Sequence, residues 1–291
     1  MPELPDLAHI EAKLRPALTG QVIAAARTGD PTVLRLMIDQ PLPQALQGRR
    51  ITSVDRRGHF MRFGLDGQRV QDRVIVINAM LVGRYRFRPQ SPAEGQKDPR
   101  ALGLALTFES GAELQYLDEK RMGKVYVANA ADEQTIPVYG QLGVDVLSPQ
   151  FTREAFAALL RKRRDQARMF LMDKRALASI GNAYADEILF AARIHPKTFC
   201  NKLSPAEADA LYAAIPAVLS HAVVEIARRD EPIETKVRDF LAVRGRDGKP
   251  CPRCGTTIRA VRVGDGDACF CPSCQPAARK LFVDWGGLPP R

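Results

Sequence analysis

The sequence predicts an α+β chain of several modules: a mostly antiparallel β-rich half, a helical middle and a cysteine-rich hairpin end. Three observations predict it. At 291 residues the chain is about twice the usual single-domain length, which excludes one small core. Its apolar spacing changes from short alternating runs before residue 130 to a helical period after residue 150. Two C-x2-C pairs stand near its end.

Composition narrows the function. Hydrophobic residues at 45% and charged residues at 26% are globular proportions, so the whole chain cannot be disordered. Lys and Arg number 43 against 33 Asp and Glu, a net charge of +10 that points to a polyanion or an anionic surface. The opening MPELPDLAHIEAKL lacks the basic flank and apolar stretch of a secretory signal, and no run approaches about 18 unbroken apolar residues. The expectation is a soluble, cytoplasmic protein, where disulfides rarely persist and six cysteines need another explanation.

Taken in order, Leu7, Ile10, Leu14 and Leu18 make one apolar stripe of a helix that begins after Pro5. From residue 21 the runs QVIAAA, TVLRLMI, ITSVDRR, HFMRFGL, RVIVINAMLVGRYRF, ALGLALTFE, AELQYLD and KVYVA are separated by turns such as LDGQ and ESGA. They predict a sandwich or a barrel, with residues 88–99 as an exposed loop. After VLSPQ the segments TREAFAALLRKRR, QARMFLMDKRAL and AYADEILFAARI are helical. Ser204, Pro205 and Glu207 are an N-cap, a first-turn proline and a capping-box acid, opening a helix to Arg229 that Pro216 should kink. VRDFLAV is expected as a short helix and GRDGKP (245–250) as a linker, giving modules at 1–148, 149–244 and 245–291.

Cys251, Cys254, Cys271 and Cys274 form C-x2-C-x16-C-x2-C, in which two knuckles present four thiolates to one structural Zn²⁺. TIRAVRV and CF around GDGDA predict the intervening β-hairpin. Cys269 alternates to the other strand face, so it and Cys200 are expected as packed small hydrophobes. At the other end, removal of Met1 would leave Pro2 as a secondary amine. Such an amine can attack a sugar's anomeric carbon and form a cationic iminium, with the neighbouring Glu3 passing protons.

MPELPD, SIGNAYADEILFAARIHP (179–196) and CPRCGTTI…FCPSCQP (251–276) together resemble the formamidopyrimidine-DNA glycosylase and endonuclease VIII family, in order along nearly the whole chain. The resemblance implies a two-layer β-sandwich, a helix-two-turn-helix domain and a zinc-finger hairpin. It also implies a monomer that flips a damaged base from DNA, cuts its glycosidic bond and nicks the abasic site through a Schiff base. On this likeness Pro2 is the nucleophile, Glu3 the general acid and Asn182 a phosphate contact. A recogniser of abasic DNA with reduced chemistry is the alternative, and a general zinc-ribbon binder of nucleic acid a third.

Several positions depart from the family pattern. His59 stands where members usually carry a lysine; an imidazole can shuttle protons but is a poor permanent cation, and the plainer reading is a strand residue facing solvent. Leu81, Lys120 and Met122, with Arg121 beside them, match the three residues that fill the gap left by the flipped base; for Leu81 and Met122 the alternative is ordinary strand core. Gly266 replaces the arginine of the finger hairpin, between the acids Asp265 and Asp267, with Arg259 and Arg262 as candidate substitutes. The basic run at Arg161, Lys162, Arg163, Arg164 and Arg168 is expected to track phosphates or to be a solvated helix end. The segment LAVRGRDGKP (241–250) is short, which implies an open pocket like that of members handling pyrimidine lesions, or distorted or single-stranded substrates.

Overall fold

The computed structural model describes residues 2–67, 71–90 and 99–277. Most of the loop expected at 88–99 lies outside the described residues. The chain divides into two compact units, Met1–Gln141 with Glu225–Val237, and Leu142–Val224 with Arg238–Arg291.

In the first unit, helix α1 (Leu4–Leu18) opens with Glu3 at the N-cap and Pro5 in its first turn, and the four leucine and isoleucine positions of its predicted stripe are all buried. Two sheets follow. One has the order β1 (Ile23–Arg27), β7 (Leu102–Phe108), β8 (Glu113–Leu117), β6 (Arg84–Arg88). The other has the order β2 (Leu34–Leu36), β9 (Lys124–Asn129), β5 (Arg73–Asn78), β4 (Phe60–Leu65), β3 (Ile51–Arg57). Side chains from both sheets share one core, Leu106, Leu114 and Tyr116 meeting Val54, Phe63, Ile75 and Val125, so the sandwich alternative holds. The β-branched runs ITSVDRR and RVIVIN form the strands their patterns predict.

Register fixes where the loops go. Phe60 pairs with Asn78 and Asn78 with Lys124 at one end of the five-stranded sheet, while Arg84 pairs with Leu117 in the four-stranded sheet. The β5–β6 and β8–β9 connections, 79–83 and 118–123, therefore cross between the sheets side by side. The β3–β4 turn at Gly58 and His59 lies at this same end.

The second unit carries α3 (Arg153–Arg161), capped by the Thr152 hydroxyl accepting from the Ala155 N–H, then α4 (Ala167–Met172) and α5 (Asn182–Ala191). β10 (Val144–Asp145) and β11 (Leu177–Ala178) form a short parallel pair. Helix α6 (Pro205–Arg229), which continues into the first unit, starts with the predicted capping box: Ser204 N–H donates to Glu207 Oε2 at 2.8 Å and Glu207 N–H to Ser204 Oγ at 3.2 Å. The hairpin β12 (Arg259–Val263) and β13 (Gly266–Phe270) closes the described chain. VRDFLAV corrects the prediction, for it is not helical. The Glu187 carboxylate accepts the N–H groups of Ala242, Val243 and Arg244 at 2.8, 2.9 and 2.9 Å, so a side chain takes donors that a helix would give to its own carbonyls. Burial pushes that carboxyl above its ordinary range.

Candidate active site

The site of the first unit is assembled at the sandwich end that bears the two crossing loops. Pro2 is buried and, with Gly83 and Arg84, lines a narrow cleft of about 10 Å³, room for one water. Glu3, 5% exposed, forms a capping box with Asp6, whose Oδ2 accepts the Glu3 N–H at 2.7 Å. This contact fixes the backbone immediately after Pro2.

The Asp118 carboxylate shapes the 118–123 loop. It accepts N–H bonds from Lys120 at 3.1 Å and Gly123 at 2.6 Å, and the Tyr116 hydroxyl donates to it at 3.4 Å. Burial and Asp118 together drive the Tyr116 phenol well above its ordinary range, so it stays a donor. Both loops press on this ring. A Cβ at Gly123 would stand 1.8 Å from the Tyr116 hydroxyl oxygen, and one at Gly83 2.5 Å from it and 2.4 Å from the Ala79 carbonyl, so only glycine fits either place. Above this base the tips are open: Leu81 is 48% and Met122 39% exposed, and Lys120 and Arg121 are exposed beside them. Leu81 and Met122 are therefore not strand core. Arg121 pairs with Asp30 at 2.6 Å.

His59 also departs from its plainer reading. It is 5% exposed in the β3–β4 turn, with its ring 4.3 Å from that of Phe60, and does not face solvent.

In the second unit Asn182 is the first residue of α5 and is exposed. Arg168 corrects the expectation of a solvent-facing basic run, for it is fully buried on α4. Its Nε donates to Asp186 Oδ1 at 2.8 Å, and its Nη2 to Asn182 Oδ1 at 2.9 Å and to the Asp267 carbonyl at 3.0 Å. Asp186 Oδ2 also accepts from Arg244 Nη1 at 2.9 Å and from the Cys269 N–H at 3.0 Å. This buried network ties α4, α5 and the hairpin together, and neither Asp186 nor Arg244 stands out in the sequence. Asp186 lies four residues after Asn182, one helical turn away, which is the signal that would have found it. Arg168 Nη1 is buried without a hydrogen-bond acceptor among the described residues. A Cβ at Gly266 would lie 3.9 Å from it and 3.8 Å from Asn182 Oδ1, so position 266 faces this pair. Asp265, Asp267, Arg259 and Arg262 are exposed at the hairpin surface; of the remaining basic run, Arg161, Lys162 and Arg164 reach solvent, while half-buried Arg163 pairs with Asp165 and Asp173.

The sulfur atoms of Cys251, Cys254, Cys271 and Cys274 lie within 4.8 Å of one another, with Cys251–Cys274 at 4.0 Å, Cys254–Cys271 at 3.5 Å and Cys254–Cys274 at 3.4 Å. A tetrahedron with Zn–S bonds of about 2.3 Å has S···S edges of about 3.8 Å, so the four thiols fit one structural zinc. Within the cluster the Thr256 hydroxyl and N–H pull the Cys254 thiol down to about 6, while burial and the neighbouring thiols push that of Cys274 up to about 12. Cys269 and Cys200 are buried outside this cluster, as predicted.

Comparison with known proteins agrees with each part. Residues 1–125 match the formamidopyrimidine-DNA glycosylase N-terminal domain, 142–230 the H2TH domain of the same glycosylase, and 248–277 a zinc finger found in FPG and IleRS. The chain is 34% identical over 284 residues to the formamidopyrimidine-DNA glycosylase of Exiguobacterium sibiricum, an alignment covering 96% of this chain and 100% of that one. The crystal structure of the Thermus thermophilus MutM (Fpg) protein superposes with a TM-score of 0.79 at 32% identity, covering 94% of this chain and 98% of that one. The Lactococcus lactis Fpg, in complex with DNA containing N7-benzyl-Fapy-dG, superposes with a TM-score of 0.84 at 25% identity, over 95% and 100% of the two chains. With two sheets around one core, helices that carry Asn182 and a four-cysteine hairpin, the chain belongs to the formamidopyrimidine-DNA glycosylase family.

Proposed function

We propose that the chain excises damaged bases from DNA and nicks the resulting abasic site, with Pro2 as its nucleophile. The observation that carries this reading is the single end of the first unit that gathers Pro2 and Glu3, the His59 turn and the exposed tips at Leu81 and Lys120–Met122.

With Met1 removed, the Pro2 secondary amine attacks C1′ of the sugar. The C1′–base bond breaks, and the electron pair leaves with the base, which takes up the proton of Glu3. The N–H proton of the attacking amine returns to Glu3, which passes it to O4′ as the sugar ring opens, leaving a cationic iminium between Pro2 and C1′. Loss of a C2′ proton then expels the 3′ phosphate, and water releases the nicked product. His59 serves proton transfer at this step, where an imidazole can act at neutral pH. Leu81 and Met122 supply apolar wedges into the base stack and Lys120 a cation toward the orphan base. Lys120 lacks the flat fork of an arginine, so its discrimination of the opposite base is loose.

Asn182 presents its amide N–H groups to a phosphate next to the lesion. Arg168 positions that amide from behind and brings positive charge to the place that Gly266 leaves bare. The protein works as a monomer in the cytoplasm.

The test is a duplex with one abasic site, borohydride reduction and intact mass measurement. A covalent adduct on Pro2 of a chain lacking Met1 is expected. Tight binding without an adduct would overturn the enzymatic reading in favour of a recogniser of abasic DNA.

A further inference from the structure

A second basic feature of the first unit adjoins the machinery described above, sharing Arg84 with the Pro2 cleft and Arg121 with the 118–123 loop. Arg84, Arg86, Arg100 and Arg121 line an open cleft of about 560 Å³ whose apolar floor includes Leu117 and Ala101, with Glu119 as its one acidic residue. Arg84 and Arg86 stand two residues apart on β6 and so project from the same face. Three of the guanidiniums have exchangeable partners: Glu119 holds Arg84 at 2.5 Å, Asp30 holds Arg121 at 2.6 Å, and Glu234 stands 3.7 Å from Arg86. Each pair has at least one partner open to solvent, Glu119 at 66%, Glu234 at 36% and Arg121 at 63%, so a stronger anion can compete for the arginines. Arg100 is exposed and has no ion pair among the described residues. The cleft is far larger than one phosphate group, and Arg121 joins it directly to the loop that carries Lys120 and Met122.

We propose that this cleft takes successive phosphates of a DNA strand running past the 118–123 loop, extending the DNA footprint beyond the lesion itself. The assignment rests on the DNA-repair reading given above. The four guanidiniums provide forked donors to phosphate oxygens, while half-buried Ala101, backed by Leu117, packs against sugar carbons.

The experiment measures binding of a duplex with a stable tetrahydrofuran abasic analogue between about 50 and 200 mM salt. Wild type is compared with Arg100→Ala, Arg100→Glu, Arg86→Ala/Arg100→Ala and, as a control, Arg228→Ala, an exposed arginine that does not line the cleft. The plot of log affinity against log salt is expected to become shallower by about 0.9 for each phosphate that is no longer engaged, hence by about 1.8 in the double variant. Arg100→Glu should weaken binding more than Arg100→Ala, and it leaves every described ion pair intact, so folding is not at issue. An unchanged slope in the double variant, or an equal loss in Arg228→Ala, would overturn the proposal. So would a deoxynucleoside monophosphate that occupies the cleft while the DNA slope stays at its wild-type value. Failure of the wild-type protein to prefer the abasic duplex over an intact one would instead sink the repair reading on which the proposal rests.

Discussion

Arg168 Nη2 donates to Asn182 Oδ1 at 2.9 Å, and because a guanidinium can only donate, the carboxamide oxygen must face inward and its N–H groups outward. A side chain buried to the last atom thus sets the polarity of an exposed one. Asn182→Asp keeps the acceptor for Arg168 but turns a carboxylate toward DNA. Its affinity for an abasic duplex should fall about ten-fold or more, with little change in melting temperature, as measured by fluorescence anisotropy and calorimetry.

Arg168→Met should act differently, through the fold. It strands Asp186 in the interior, where loss of one partner of a buried pair costs about 3–5 kcal/mol. Both side chains are 0% exposed, so solvent screening does not reduce this cost. Arg244 still reaches Asp186 at 2.9 Å and moves the expectation to the lower end of the range. Urea unfolding of Arg168→Met, Asp186→Asn and the double variant measures it, and the double should cost less than the sum of the singles.

Glu3→Gln removes the proposed acid while keeping a side chain of the same size at the head of α1. Release of a damaged base should slow by about 10²–10⁴, since departure of the base needs a proton. Trapping on a ready-made abasic site, where no base departs, should suffer less. Equal losses in the two assays would assign Glu3 to binding.

His59→Gln should reduce strand cleavage while leaving formation of the trapped adduct near its wild-type level. Gln retains hydrogen bonding but cannot exchange a proton near neutral pH. Unchanged cleavage on a sequencing gel would remove His59 from the reaction and leave it a packing role against Phe60.

Chelation of zinc, or Cys271→Ser, should unfold the hairpin, because the short segment between Lys249 and Pro276 cannot supply a core of its own. Loss of the hairpin withdraws the Asp267 carbonyl that Arg168 and Arg244 share. DNA affinity should fall together with zinc content, followed by mass spectrometry under native conditions.

Much of this is legible in the sequence for identifiable reasons. The stripe of α1, the strands of the sandwich, the capping box at Ser204 and the four zinc ligands depend on spacing within one segment, which a linear pattern records. Arg168 reads as surface because its neighbours Arg161, Lys162 and Arg164 are a run of charge; the acid that buries it, Asp186, comes 18 residues later. VRDFLAV has a helix-like composition, yet the N–H groups of Ala242 and Val243 at its end are claimed by Glu187, a partner that lies 55 residues before Ala242. His59 reads as a strand position, but the tight Gly58 turn folds it inward.

The Tyr116 ring beneath Gly83 and Gly123 separates two kinds of variation. Substitution at the floor of the loops is barred by contact with the ring, whereas Leu81, Lys120 and Met122 project from the same loops with no comparable constraint. Lesion and opposite-base preference can therefore drift, or be redesigned, by exchanging three side chains on a stem that stays put.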